Sequence, residues 1–155
     1  MAVMFETMPA SSSPPGQTTE SFHTYFDHAV QALAPGWTLQ PEISLPVGRG
    51  KLYKWALKPT DDKLSIWVIQ YSDATEADAR LRGIRLSVGE HWVTGIGDAA
   101  FAGFVSERGP ASLYLRVDRT YAQIFVPSSA VSSASTAVDL ALSLGQRVAR
   151  IVSER

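Results

Sequence analysis

The sequence predicts an α+β domain in which a mainly antiparallel sheet carries helices on both faces, an α/β/α sandwich. Three observations predict it. Strand-like segments come in runs joined by short turns, the pattern of antiparallel neighbours. One of them, Leu64 to Tyr71, is apolar at successive positions and so calls for cover on both sides. The last helical-period segment, residues 135–152, has an apolar arc wider than half its circumference, which demands deep burial against the sheet.

The elements follow in order. Residues 1–18 include Ser11, Ser12, Ser13, Pro14, Pro15 and Gly16. They bury too little apolar surface to offset their ordering entropy and are expected to form a disordered tail. Residues 19–155 are expected to form the single domain. A first helix is expected from Glu20 to Leu33, capped by Thr19 and stopped by Pro35-Gly36, with Phe22, Phe26, Ala29, Val30 and Leu33 on one side. The Pro-interrupted segment Trp37 to Leu45 is extended, an edge-strand candidate. A hairpin of Leu52–Leu57 and Leu64–Tyr71 comes next.

A second helix starts at Asp73-Ala-Thr-Glu76, a capping box. It carries a narrow stripe of Ala77, Leu81, Ile84 and Val88. Glu76 with Arg80 and Asp78 with Arg82 are acid-before-base pairs one helical turn apart, worth about 0.2–0.5 kcal/mol each. Gly95-Ile-Gly-Asp98 is a turn in which both glycines are expected to supply positive φ. Three strands follow, Ala99–Val105, Leu113–Val117 and Tyr121–Val126, and then the closing helix, Ser135–Val152. The predicted order is α-β-β-α-β-β-β-α.

Composition narrows the function classes. With 155 residues the chain suits one domain, which at this size needs no disulfide or metal to hold it. Lys plus Arg number 14 and Asp plus Glu 15, so the broad positive field of non-specific nucleic-acid binding is missing. The absence of cysteine excludes thiol catalysis, Cys-based zinc sites and disulfides. There is no apolar run of the roughly 18 residues that span a bilayer. Met1 to Pro9 lacks the basic region of a secretory signal. The sequence as it stands reads as cytoplasmic, and a chain from which an export signal had been removed reads the same way.

Candidate chemistry is sparse. Glu20, His23 and Asp27 lie on adjacent turns of the first helix and could present an imidazole and two carboxylates to a metal; with no fourth ligand signalled, a solvated polar face is the preferred reading. His91, next to Glu90, is a candidate general base or a structural histidine. Gly48-Arg-Gly-Lys51 matches neither phosphate-loop nor dinucleotide spacing. Arg80, Arg82 and Arg85 could bind an anion, but the helical acid partners favour a solvated face. Of the four tryptophans, Trp55 alternates with Lys54, and Lys58 follows beyond Leu57. A partly exposed Trp55 would anchor a protein partner while Lys54 and Lys58 steer encounter; the competing reading places Trp55 in the core beneath a helix.

Thr94-Gly-Ile-Gly-Asp-Ala-Ala-Phe101, followed by Leu113-Tyr-Leu-Arg-Val-Asp118, a further strand and a closing helix, resembles small bacterial domains of the PsbP-like α/β/α sandwich superfamily. Several of those are exported lipoproteins with a Gly-x-Gly-Asp-x-Ala turn before a strand pair. The resemblance covers residues 75–152 and implies the sandwich fold and a non-enzymatic binding or assembly role. This chain departs from it in lacking a lipobox cysteine, and no catalytic residue carries over.

The functional expectation is therefore a non-enzymatic protein-binding or assembly module, with Trp55, Lys54 and Lys58 at the binding surface and no cofactor. A second copy of the chain is a further candidate partner. The alternative is a small enzyme or metal-dependent catalyst using His23, Asp27 or His91.

Overall fold

The computed structural model describes residues 15–45, 49–56, 62–88, 92–104, 110–128 and 136–154. Helix α1 is Pro15–Leu33, α2 Ala74–Val88 and α3 Ala137–Ser153. The strands are β1 Thr38–Leu39, β2 Ile43–Ser44, β3 Arg49–Ala56, β4 Lys63–Gln70, β5 Trp92–Val93, β6 Ala99–Phe104, β7 Ala111–Val117 and β8 Thr120–Val126. Every strand pair is antiparallel. The sheet order is β1-β3-β4-β8-β7-β6-β5, with β2 also on β3. The α+β class and the antiparallel sheet are as the sequence predicts.

The element order differs from expectation by three two-residue strands, β1, β2 and β5. Two of them lie inside the predicted Trp37–Leu45 edge segment; all three are too short to show a period of two. Helix α1 begins at Pro15, so residues 15–18 are helical rather than part of a tail, and Thr19 is interior rather than a cap. Proline suits a first helical position, because its missing N–H is one the helix would leave unused. Residues 1–14 of the expected tail lie outside the described residues.

Local signals set the other boundaries. Asp73 Oδ1 accepts from Glu76 N at 2.9 Å, and Glu76 reaches back to Ser72, whose backbone N–H donates to Oε1 at 3.1 Å and whose hydroxyl bonds the same oxygen. The predicted capping box thus closes one residue early. Thr136 caps α3 by accepting from Asp139 N at 3.1 Å. Strands β7 and β8 are joined through Asp118 and Arg119, with Asp118 at φ 52, as tight hairpins require.

The Gly95-Ile-Gly-Asp98 turn is explained by packing. Gly95 and Gly97 adopt φ +84 and +62, and a Cβ on Gly97 would lie 2.6 Å from the Arg116 carbonyl oxygen. Between them Ile96 is buried. Asp98 then clips the turn to the β7–β8 hairpin: its N–H donates to Arg116 O at 2.7 Å, and its Oδ2 accepts from Asp118 N at 2.6 Å.

Alternation along β8 divides the interior in two. Ala122, Ile124 and Val126 join a cluster with Phe22 and Phe26 of α1 and Leu144 and Val148 of α3. Tyr121 joins a second cluster with Ile69, Phe101, Tyr114 and Leu81 of α2. The deep burial expected for α3 is present, since Leu140, Leu144, Val148 and Val152 are all buried. Ile151, within the same predicted apolar segment, is only partly buried.

Candidate functional site

The expected anchor, Trp55, is 0% exposed. Its indole Nε1 donates to Asp27 Oδ1 at 3.0 Å, and the same oxygen accepts from Gln31 Nε2 at 3.2 Å. Gln31 Nε2 in turn donates to Trp37 O at 2.6 Å. Strand alternation sends Trp55 and Tyr53 together into the cluster that holds α1, so Trp55 offers a partner nothing. That part of the expected binding surface is corrected. Lys54 points from the opposite face of β3 and is partly buried, and Lys58 lies outside the described residues.

The catalytic and metal candidates go to separate tasks. His23 stacks on Tyr53 with ring centroids 5.5 Å apart. The Tyr53 hydroxyl bonds Glu42, and burial pushes the phenol well above its usual range. Glu42 pairs with Lys51 at 3.3 Å, so Lys51 is a strand residue with an ionic partner rather than part of a phosphate loop. Asp27 turns instead to Trp55. Among the described residues no three His, Asp or Glu side chains are placed to hold a metal ion. His91 and the side chain of Glu20 lie outside them.

The register shows what shares a face with Lys54. One row across the sheet is Gly50, Ile69, Tyr121 and Arg116; the next is Leu52, Trp67, Gln123 and Tyr114; the third is Lys54, Ser65, Phe125 and Ser112. Ile69 and Tyr121 of the first row are buried, and Leu81 of α2 packs against them. In the second row Leu52, Trp67 and Gln123 are only partly buried, and so is all of the third. Ile43, opposite Leu52 on β2, is 43% exposed. Cover thins with distance from α2 and leaves Leu52, Trp67 and Phe125 as an apolar strip bordered by Lys54, Ser65 and Gln123.

Helix α2 brings Arg80 to this face and directs Arg82 to Asp78 and over the Trp92 ring. Asp78 pairs with Arg82 at 2.7 Å as predicted, and the hydrogen bond from Arg82 holds its carboxyl below the usual range. Arg116 Nε lies 3.3 Å from Asp78 Oδ1, at ion-pair distance but without hydrogen-bond alignment. The expected pair of Glu76 with Arg80 does not form, because Glu76 is engaged at Ser72. Arg80 turns instead onto the sheet, its guanidinium carbon 5.6 Å from the ring centroids of both Trp67 and Tyr121. Arg80 Nε and Trp67 Nε1 are buried atoms without a hydrogen-bond partner among the described residues. The Tyr121 hydroxyl donates to Gln123 Oε1 at 3.0 Å, and burial pushes that phenol upward. The side chain of Arg85 lies outside the described residues.

A separate open cleft of about 590 Å³ runs between the Gly95–Asp98 turn and the C-terminal half of α3, where Gln146 and Arg150 line it. Its one carboxylate, Asp98, is already bonded to the hairpin.

No motif in the sequence singles out Leu52, Trp67, Gln123 or Phe125. Their meeting depends on the β3-β4-β8 register, which brings together residues more than 70 positions apart in the chain. Among the described residues no helix is long and apolar enough to cross a membrane. Compared with protein-family models, curated proteins and solved structures, the chain has no match.

Proposed function

We propose that the chain is a non-enzymatic protein-binding or assembly module that receives its partner on the sheet face bearing Lys54 and Trp67. In this reading α1 and α3 cover one face and α2 covers part of the other, a sandwich of the PsbP-like kind. Support for that arrangement comes from the two separate clusters, one holding side chains of α1 and α3 and the other those of α2.

One observation carries the functional reading: the strip of partly buried Leu52, Trp67 and Phe125 on three adjacent strands, with Ile43 43% exposed at its end. An apolar, aromatic centre with a rim of lysine, serine and glutamine is how protein interfaces are composed. The catalytic alternative through His23 and Asp27 draws no support from their contacts, since Asp27 is bonded to Trp55 and Gln31.

The test is recovery of a native partner by the wild-type chain, by Lys54→Glu, and by Lys54→Glu combined with Trp67→Ala. Recovery is expected to fall in both variants, at least about ten-fold in the double variant, the equivalent of about 1.4 kcal/mol. Lys54→Glu alone guards against loss of folding, because Lys54 has no side-chain partner among the described residues. Undiminished recovery with an unchanged circular dichroism spectrum overturns the proposal.

A further inference from the structure

We propose that Arg80 and Trp67 together form a carboxylate-recognition point, so that the partner of this face presents an aspartate or glutamate flanked by apolar residues. This rests on the protein-binding reading above and names the chemistry of the partner.

The charge balance at α2 points to an acid. Glu76, the natural helical partner of Arg80, is held by Ser72. Asp78 is shared between Arg82 and Arg116. Among the described residues Arg80 therefore has no carboxylate: its guanidinium lies 5.6 Å from the rings of Trp67 and Tyr121 and bonds the Tyr121 hydroxyl, which leaves its positive charge unmatched. Stacking against the rings keeps the planar guanidinium on this face, and its N–H donors suit a two-oxygen acceptor.

The donor balance points the same way. Arg80 Nε–H and Trp67 Nε1–H can only donate, and neither has an acceptor among the described residues. The amide oxygen opposite Trp67 in the register, Gln123 Oε1, already accepts from the Tyr121 hydroxyl. A carboxylate supplies two oxygens and a negative charge, one oxygen for each idle donor. Arg80 and Trp67 are both only partly buried, so rotation of the long Arg80 side chain brings its shut-in N–H to a ligand. Lys54, on the same face two rows from Tyr121, adds a second cation without a side-chain partner among the described residues. Leu52 and Phe125 beside it supply the apolar contacts for the flanking residues.

The experiment uses the full chain labelled with nitrogen-15 and two peptides, acetyl-Leu-Glu-Val-Glu-Leu-amide and the same peptide with both glutamates replaced by glutamine. The indole N–H resonance of Trp67, assigned with Trp67→Phe, is followed during titration. The acidic peptide is expected to move that resonance downfield and saturably, and the glutamine peptide to bind at least ten-fold more weakly. Arg80→Gln is expected to erase the difference, and Arg80→Lys, which keeps the charge but loses the fork, to restore part of it. Equal shifts from the two peptides, no shift from either at millimolar concentration, or a preference that survives Arg80→Gln would each overturn the carboxylate point. The protein-binding reading stands or falls separately, on partner recovery by the Lys54→Glu variants, which does not depend on the charge of these peptides.

Discussion

Trp55→Ala is expected to lower the unfolding free energy by about 3–5 kcal/mol, the range for deleting a wholly buried tryptophan. Trp55 is 0% exposed and lies in the cluster that joins α1 to the sheet. The substitution removes more than packing. Asp27 loses the indole donor at 3.0 Å and keeps the longer contact from Gln31 at 3.2 Å. Trp55→Phe separates the two effects: it retains most of the apolar volume and deletes the N–H. Its cost is expected near that of one hydrogen bond to a charged group, about 1.5–3 kcal/mol. Urea denaturation of the three proteins measures both steps. A cost below about 1 kcal/mol for Trp55→Ala would contradict the complete burial of Trp55.

Leu144→Ala is expected to cost about 2–5 kcal/mol, whereas Ile151→Ala should cost distinctly less. Leu144 is fully buried in the α3 seam and Ile151 only packs against its margin. The seam is tight because Gly145 has no side chain: a Cβ there would collide with Leu113 of β7. Gly145→Leu is therefore expected to overpack the interface and to destabilise by about 1–3 kcal/mol or more, despite the gain in helix propensity. Denaturant midpoints of the three variants check the ranking. Equal costs for Leu144→Ala and Ile151→Ala, or a stabilised Gly145→Leu, would mean that α3 does not sit as described.

Much of the fold was legible because local chemistry repeats there. The capping residue Asp73, the two glycines of the Gly95–Asp98 turn and the wide apolar arc of α3 act within a few residues of where they stand. The two-residue strands were not legible, since pairing of that length leaves no period. The site was legible only in pieces. Alternation along β3 separates Trp55 from Lys54, but which of the two faces a helix closes depends on partners far along the chain. Arg80 illustrates the limit best. Its spacing from Glu76 predicts a helical ion pair, yet Ser72 competes for the carboxylate and two aromatic rings compete for the guanidinium. Neither competitor is visible from the spacing of acid and base.

A partner on the face bearing Trp67 is tested most directly by photo-cross-linking in native lysate from two positions, each replaced in turn by a photoreactive amino acid. Gln123 lies in the middle row of that face, opposite Trp67, whereas Gln146 is an exposed position on α3. A discrete cross-linked partner is expected from Gln123, lost on Lys54→Glu, and none from Gln146. Cross-links to the same protein from Gln146 alone, or from Gln123 only to a second copy of the chain, would contradict it.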